Sequence, residues 1–97
     1  AERERVIVVM PTISYFYGIA IRMYFGDHSP PHFHAIYGAD EALIDIETGD
    51  VIVGHLPKAA LRLIQDWRIA RQAELRENWQ RAQRLEPLER LPGLDDE

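Results

Sequence analysis

The sequence predicts an α+β protein in which an antiparallel meander of three to five strands packs on a long or kinked C-terminal helix. Over residues 10–54, short alternating runs are separated by turns that contain glycine or proline, a pattern typical of half-buried strands. Over residues 57–85, apolar residues recur with the helical period. We expect a single domain over residues 1–97, with an N-terminal extension at 1–9 and a tail at 86–97.

The strands are expected where branched and aromatic residues follow turn signals. The first is predicted at residues 17–25, where Ile19, Ile21 and Met23 fall on one face. The others are predicted at residues 32–37, 41–47 and 51–53, separated by turns that contain Gly38 and Gly49.

The helix is predicted to begin at Pro57, because proline at the first helical position has no hydrogen bond to lose. Pro87 is expected to end it. Its apolar stripe consists of Ala60, Leu63, Ile64 and Trp67.

Three polar residues, Arg71, Glu74 and Asn78, fall near the centre of the same stripe. Burying an unpaired polar group costs about 1–3 kcal/mol, so their position needs a reason. The helix breaks near Arg71, or it extends beyond the sheet, or these side chains line a polar site between helix and sheet. In the last case we expect His32 and His34 to share a polar cleft with Glu74 or Asn78.

Composition excludes several classes of protein. The 97 residues contain no cysteine, which excludes disulfides, thiolate nucleophiles and cysteine-ligated zinc. The 11 basic residues against 16 acidic ones give a net charge of −5, which disfavours a globally basic nucleic-acid binder. No apolar run is long enough to span a membrane, and we expect a cytoplasmic protein.

Three of the four histidines lie within residues 27–34, which read DHSPPHFH. On a strand, His32 and His34 point to the same face and Phe33 to the core. Two chemistries fit. His28, His32 and His34 would bind a divalent metal such as Zn²⁺, with Asp27 as a ligand or behind one. Alternatively, two imidazoles would act as general acid and base on a phosphodiester. Exposed polar residues of a sheet are the structural alternative.

These motifs resemble the domain of unknown function 4160 family, a group of small bacterial proteins. The similarity covers residues 10–94, and the DHSPPHFH string is its most specific part. The other matching segments are Met10-Pro11-Thr12-Ile13-Ser14, Phe16-Tyr17-Gly18-Ile19, Tyr37-Gly38, Gly54, Leu56-Pro57, Glu74-Leu75 and Asn78-Trp79.

The resemblance implies a gene arrangement like that of a toxin–antitoxin pair, in which this chain would be the toxin-like member beside a second small protein. The family commonly has a histidine where this chain has Arg71. If the family's site includes this position, the arginine makes it less certain that this chain has the same site, although an arginine would still bind phosphate.

Three functional hypotheses follow. In the first, a toxin-like enzyme acts on RNA, with His32, His34, Glu74 and Asn78 as catalytic residues and Arg71 contacting phosphate. In the second, the histidine cluster binds a metal. In the third, a non-catalytic module binds a partner protein.

We also expect a homodimer that does not involve a membrane. Leu75 and Trp79 would otherwise lie exposed on a helix longer than its sheet.

Overall fold

The computed structural model describes residues 10–96 and confirms the predicted α+β class. Five strands form one antiparallel sheet in the order β1-β2-β3-β4-β5, and two consecutive helices follow. The predicted extension at residues 1–9 lies outside the described residues. The elements are β1 (Thr12–Phe16), β2 (Ile19–Arg22), β3 (His32–Tyr37), β4 (Asp40–Asp45), β5 (Val51–Gly54), α1 (Lys58–Ala70) and α2 (Gln72–Gln83).

The first hairpin differs from the prediction, which placed one strand over residues 17–25. Tyr17 and Gly18 instead form a turn with φ of 51° and 81°, and this turn joins β1 to β2. Positive φ at both central residues matches the right-handed twist of the flanking strands. The alternation along β1 is broken by a register shift between Thr12 and Ser14, so its pattern gave no strand signal.

The core lies between one face of the sheet and α1. Ile64 and Trp67 are buried, as predicted, while Leu63 is half-buried. The Trp67 ring centroid lies 5.3 Å from that of Phe16 and 5.7 Å from that of Phe33. Its indole N–H donates to the carbonyl oxygen of Pro92 at 2.8 Å, so this side chain joins sheet, helix and tail.

A break at Arg71 separates the two helices, which agrees with the first of the three alternatives for the polar stripe. Arg71 has φ of −116° and ψ of 20°, outside helical geometry, and is flanked directly by α1 and α2. The expectation that Leu75 and Trp79 lie exposed on a helix longer than its sheet is wrong, because both side chains are buried.

The tail explains that burial. Instead of fraying, it runs back along β1, and the Leu91 N–H donates to the carbonyl oxygen of Ile13 at 2.7 Å. Leu91 belongs to the same buried cluster as Leu75. The homodimer stays a prediction, but the exposed apolar helix that motivated it is absent from residues 10–96.

Polar side chains of both helices hold the β4–β5 loop (residues 46–50). Gln65 donates to the Gly49 carbonyl at 2.7 Å, and Arg68 and Gln72 donate to that of Ile46 at 3.1 and 2.9 Å. Arg76 binds both carboxylate oxygens of Glu47 at 2.7 Å, and these hydrogen bonds lower the pKa of Glu47. The loop is therefore fixed to the helices.

Within residues 10–96, no helix is both long and apolar enough to cross a membrane.

Asn78→Ala should destabilise the fold by about 2 kcal/mol. The fully buried Asn78 amide donates to the Glu89 carbonyl at 2.9 Å and accepts from the Glu89 N–H at 2.8 Å, so the variant leaves two backbone groups unpaired. Denaturant unfolding measures the change, and Gln80→Ala, at an exposed position of the same helix, is the control. Equal stability of the two variants would contradict the tail-anchoring role.

Candidate functional site: a histidine–carboxylate cluster

A buried cluster of histidines lies at the start of β3, just after the Pro-Pro loop, on the face of the sheet opposite the core. His32 and His34 begin β3 and alternate with Phe33, which lies in the core. Both histidines are nevertheless buried, with 4% and 6% of their surface exposed. The Trp79 ring lies 5.3 Å from that of His32, and Tyr24 packs edge-on against His34 at 4.8 Å, which accounts for the burial.

Asp27 is brought to the histidines by a loop fastened to the end of α2. The Gly26 N–H donates to the Ala82 carbonyl at 3.0 Å, and Gln83 donates to the Asp27 carbonyl at 2.7 Å. Asp27 Oδ2 then lies 3.0 Å from His32 Nε2 and 3.9 Å from His34 Nε2.

Each imidazole is oriented through its other nitrogen. His32 Nδ1 lies 2.7 Å from the Pro30 carbonyl oxygen, and His34 Nδ1 lies 3.0 Å from Glu41 Oε2. A carbonyl or carboxylate oxygen only accepts hydrogen bonds, so both Nδ1 atoms carry the proton and donate it. In the neutral rings, Nε2 then presents a lone pair to the centre of the cluster.

In the neutral rings these lone pairs face a carboxylate, a repulsion that a proton or a metal ion between the atoms removes. His32 Nε2 faces a carboxylate oxygen at 3.0 Å, and two acceptors at that distance repel unless a proton or a metal ion lies between them. His34 Nε2 is buried and has no hydrogen-bond partner. The candidate ligand atoms of Asp27, His32 and His34 all lie within 4.8 Å of one another.

Of the three histidines predicted to bind a metal, the structure brings His32 and His34 together and leaves His28 apart. His28 is exposed, with its Nδ1 3.5 Å from the Ser29 carbonyl oxygen, and it does not join the cluster. Asp27 takes its place because the loop turns the carboxylate inward and the neighbouring imidazole outward. His55 is also exposed.

The predicted cleft that joins the histidines to the helix polar residues is wrong. The amide of Asn78 makes its hydrogen bonds with the backbone of Glu89 in the tail, one through Nδ2 and one through Oδ1, and makes none with either histidine. Glu74 pairs with Arg71 at 3.3 Å and lines a separate depression with Arg81 and Glu89. Because the helix is broken at Arg71, it is Trp79 that reaches His32.

Two members of the site, Glu41 and Tyr24, were not predicted. A signal for Glu41 existed in the short turn at Gly38, since a tight hairpin there sets the register of β3 against β4. Ile36 lies opposite Glu41 and His34 opposite Leu43, so Glu41 is the diagonal neighbour of His34 on the same face.

Fold and site define a small α+β protein with a two-histidine, one-carboxylate cluster at the start of a central strand. The sequence model of the family described as domain of unknown function (DUF4160) matches residues 18–80, and the chain belongs to this family. That range contains the whole cluster. No curated protein and no solved structure matches the chain.

His32→Ala should lower the stability of the metal-free protein by about 2 kcal/mol, because it removes the hydrogen bond to Pro30 and the contact with Trp79. His28→Ala should change stability by less than about 0.5 kcal/mol, since that ring is exposed. Denaturant unfolding with a chelator present measures both. A similar loss in the two variants would argue against the buried position of His32.

Proposed function

We propose that this protein binds a divalent transition-metal ion through Asp27, His32 and His34. The observation that carries the proposal is the convergence of two Nε2 lone pairs on one carboxylate, with one of these nitrogens buried and unpartnered. Buried polar atoms normally have partners, so an unpartnered one aimed at other ligand atoms is a reason to expect an ion.

The spacing of the ligand atoms supports the same conclusion. Ligands at 2.0–2.1 Å from a tetrahedral zinc ion lie about 3.3 Å from each other. The distances of 3.0 and 3.9 Å from Asp27 Oδ2 to the two Nε2 atoms lie on either side of that value. Small side-chain rotations are enough to bring them to the ion.

The groups behind the ligands also fit a metal centre. A metal-bound histidine usually donates its second ring N–H to a carboxylate or a backbone carbonyl, which fixes the ring and raises its basicity. Glu41 and the Pro30 carbonyl oxygen provide these acceptors for His34 and His32. Two imidazoles with one carboxylate favour Zn²⁺ or Fe²⁺ over Mg²⁺ or Ca²⁺, and three protein ligands leave positions open for an exchangeable ligand.

The competing explanation is a structural ion pair, in which His32 is an imidazolium held by Asp27 and no metal is involved. It accounts for His32, but it leaves His34 Nε2 without a partner. The two explanations differ in what the cluster does when a metal is offered.

Metal-free protein should bind one Zn²⁺ or Co²⁺ ion in calorimetric titration. His34→Ala should weaken binding by at least about 100-fold, because a ligand is lost. His28→Ala and His55→Ala are matched controls that remove exposed imidazoles and should bind like the wild type. Absence of binding by the wild type, or equal weakening in the controls, would reject the proposal.

Glu41→Gln should weaken metal binding by about 10- to 100-fold without abolishing it, because His34 loses a charged acceptor but keeps its ligand atom. The comparison is made with Co²⁺, whose visible absorption reports ligand geometry, and Glu74→Gln is the control carboxylate outside the cluster. Unchanged affinity in Glu41→Gln would mean that Glu41 does not act through His34.

The RNA-directed, toxin-like role implied by the family resemblance stays a prediction. A bound metal ion with open positions would suit phosphodiester chemistry, since it polarises a phosphoryl oxygen and activates water. Growth inhibition on expression, compared between wild type and His34→Ala, tests this role separately from metal binding.

A further inference from the structure

Strand β5 is an edge of the sheet that presents apolar side chains to solvent. Val51 and Ile52 are each 40% exposed and Val53 is 59% exposed, and β5 pairs with β4 alone. The opposite edge, β1, is protected, because the tail binds it through Leu91 and Ile13. Within residues 10–96, no element covers β5.

Strand β5 is short and contains a bulge, two features that weaken edge pairing, but it lacks the side chains that block pairing most directly. Edge strands are commonly protected by lysine, proline, an inward-pointing charge or a covering loop. Val51–Gly54 contains no charged residue and no proline. Its unpaired backbone groups are therefore available to another strand.

The strand is also held in place before any partner arrives. The Asp45 N–H donates to the Asp50 carbonyl at 2.9 Å and the His55 N–H to the Glu41 carbonyl at 3.1 Å, which fixes both ends of β5. Gln65 holds the preceding loop at Gly49. Because the edge is already ordered, pairing would require little further loss of conformational entropy.

A bulge in β5 determines which residues would face each other in a two-fold pair. Val51 lies opposite Ile44 and Gly54 opposite Ala42, and Ile44 and Ala42 are both in the core. Val51 and Gly54 thus lie on the core side of the sheet, although three positions separate them, because Ile52 is an extra residue in this strand.

Residues directly opposite each other in an antiparallel pair share a face of the sheet. In a two-fold pair of β5 strands, Val51 therefore faces the partner's Gly54, and Ile52 faces the partner's Val53. The same register brings the Asp50 carboxylate opposite the partner's His55. This acid–imidazole contact occurs twice, once at each end of the pair.

We infer that β5 is a self-association edge on which a second copy of this chain adds its own β5 antiparallel, making one continuous sheet. A second copy fits because the strand is complementary to itself in the faces of its side chains and in the acid–imidazole pair at each end. Four-residue strands make a small contact, so the dimer is expected to be weak and concentration-dependent. The inference is independent of the metal site. The interface it describes differs from the helix face, with Leu75 and Trp79, that the sequence predicts.

Sedimentation velocity of the full chain over a concentration series tests the edge. The wild type should shift from monomer towards dimer in the micromolar range, and Val53→Lys should raise the dimer dissociation constant by at least about tenfold. Ile69→Lys adds the same charge at an exposed position of α1 and should behave like the wild type. A strictly monomeric wild type at high micromolar concentration would overturn the inference.

Charge exchange tests the register. His55→Asp should weaken the dimer by placing two carboxylates opposite each other, and adding Asp50→Lys to it should restore association. Circular dichroism verifies that each variant is folded. If the double variant stays as weak as His55→Asp, the proposed register is wrong. If Tyr15→Lys, at an exposed position of the opposite edge strand β1, dissociates the dimer while Val53→Lys does not, the β5 edge is not the interface.

Discussion

The break in the helix at Arg71 is the constraint on which the other features of this structure depend. A straight helix would keep one stripe facing the core, with Asn78 on the same stripe as Trp67. The break lets α1 cover the core through Trp67 while α2 presents Trp79 to His32 and Asn78 to the tail. Of the polar residues that interrupt the apolar stripe, Asn78 is satisfied by the backbone of the tail, whereas Arg71 and Glu74 pair with each other.

Much of this fold was readable from the sequence, because apolar alternation and turn residues act locally. The strand at His32–Tyr37 has the bounds that its pattern predicts. What the sequence did not reveal depends on contacts distant along the chain. Strand β1 carries a register shift that disrupts its alternation, and the tail is ordered by partners such as Ile13 that no local pattern indicates.

The histidine–carboxylate cluster was likewise predictable only where it depends on local sequence. That His32 and His34 share a face follows from the strand period alone. The strand period does not tell whether Asp27 or His28 faces the two histidines, because that depends on how the loop is turned. The loop is held by Ala82 and Gln83 at the end of α2. The polarity of the helix indicated a buried hydrogen-bond partner correctly for Asn78 alone, and it could not say that the partner lies in the tail.

The fastening of the Asp27 loop to α2 makes the cluster and the tail thermodynamically linked. Asp27 is held by the last turn of α2, and the middle of the same helix is tied to the tail through Asn78. If the cluster binds an ion as proposed, ion binding would favour the docked helix, and a docked tail would favour ion binding by the same free energy, since coupling between two sites is reciprocal. On that proposal, a chain segment that touches no ligand atom would contribute to the affinity of the cluster for its ion.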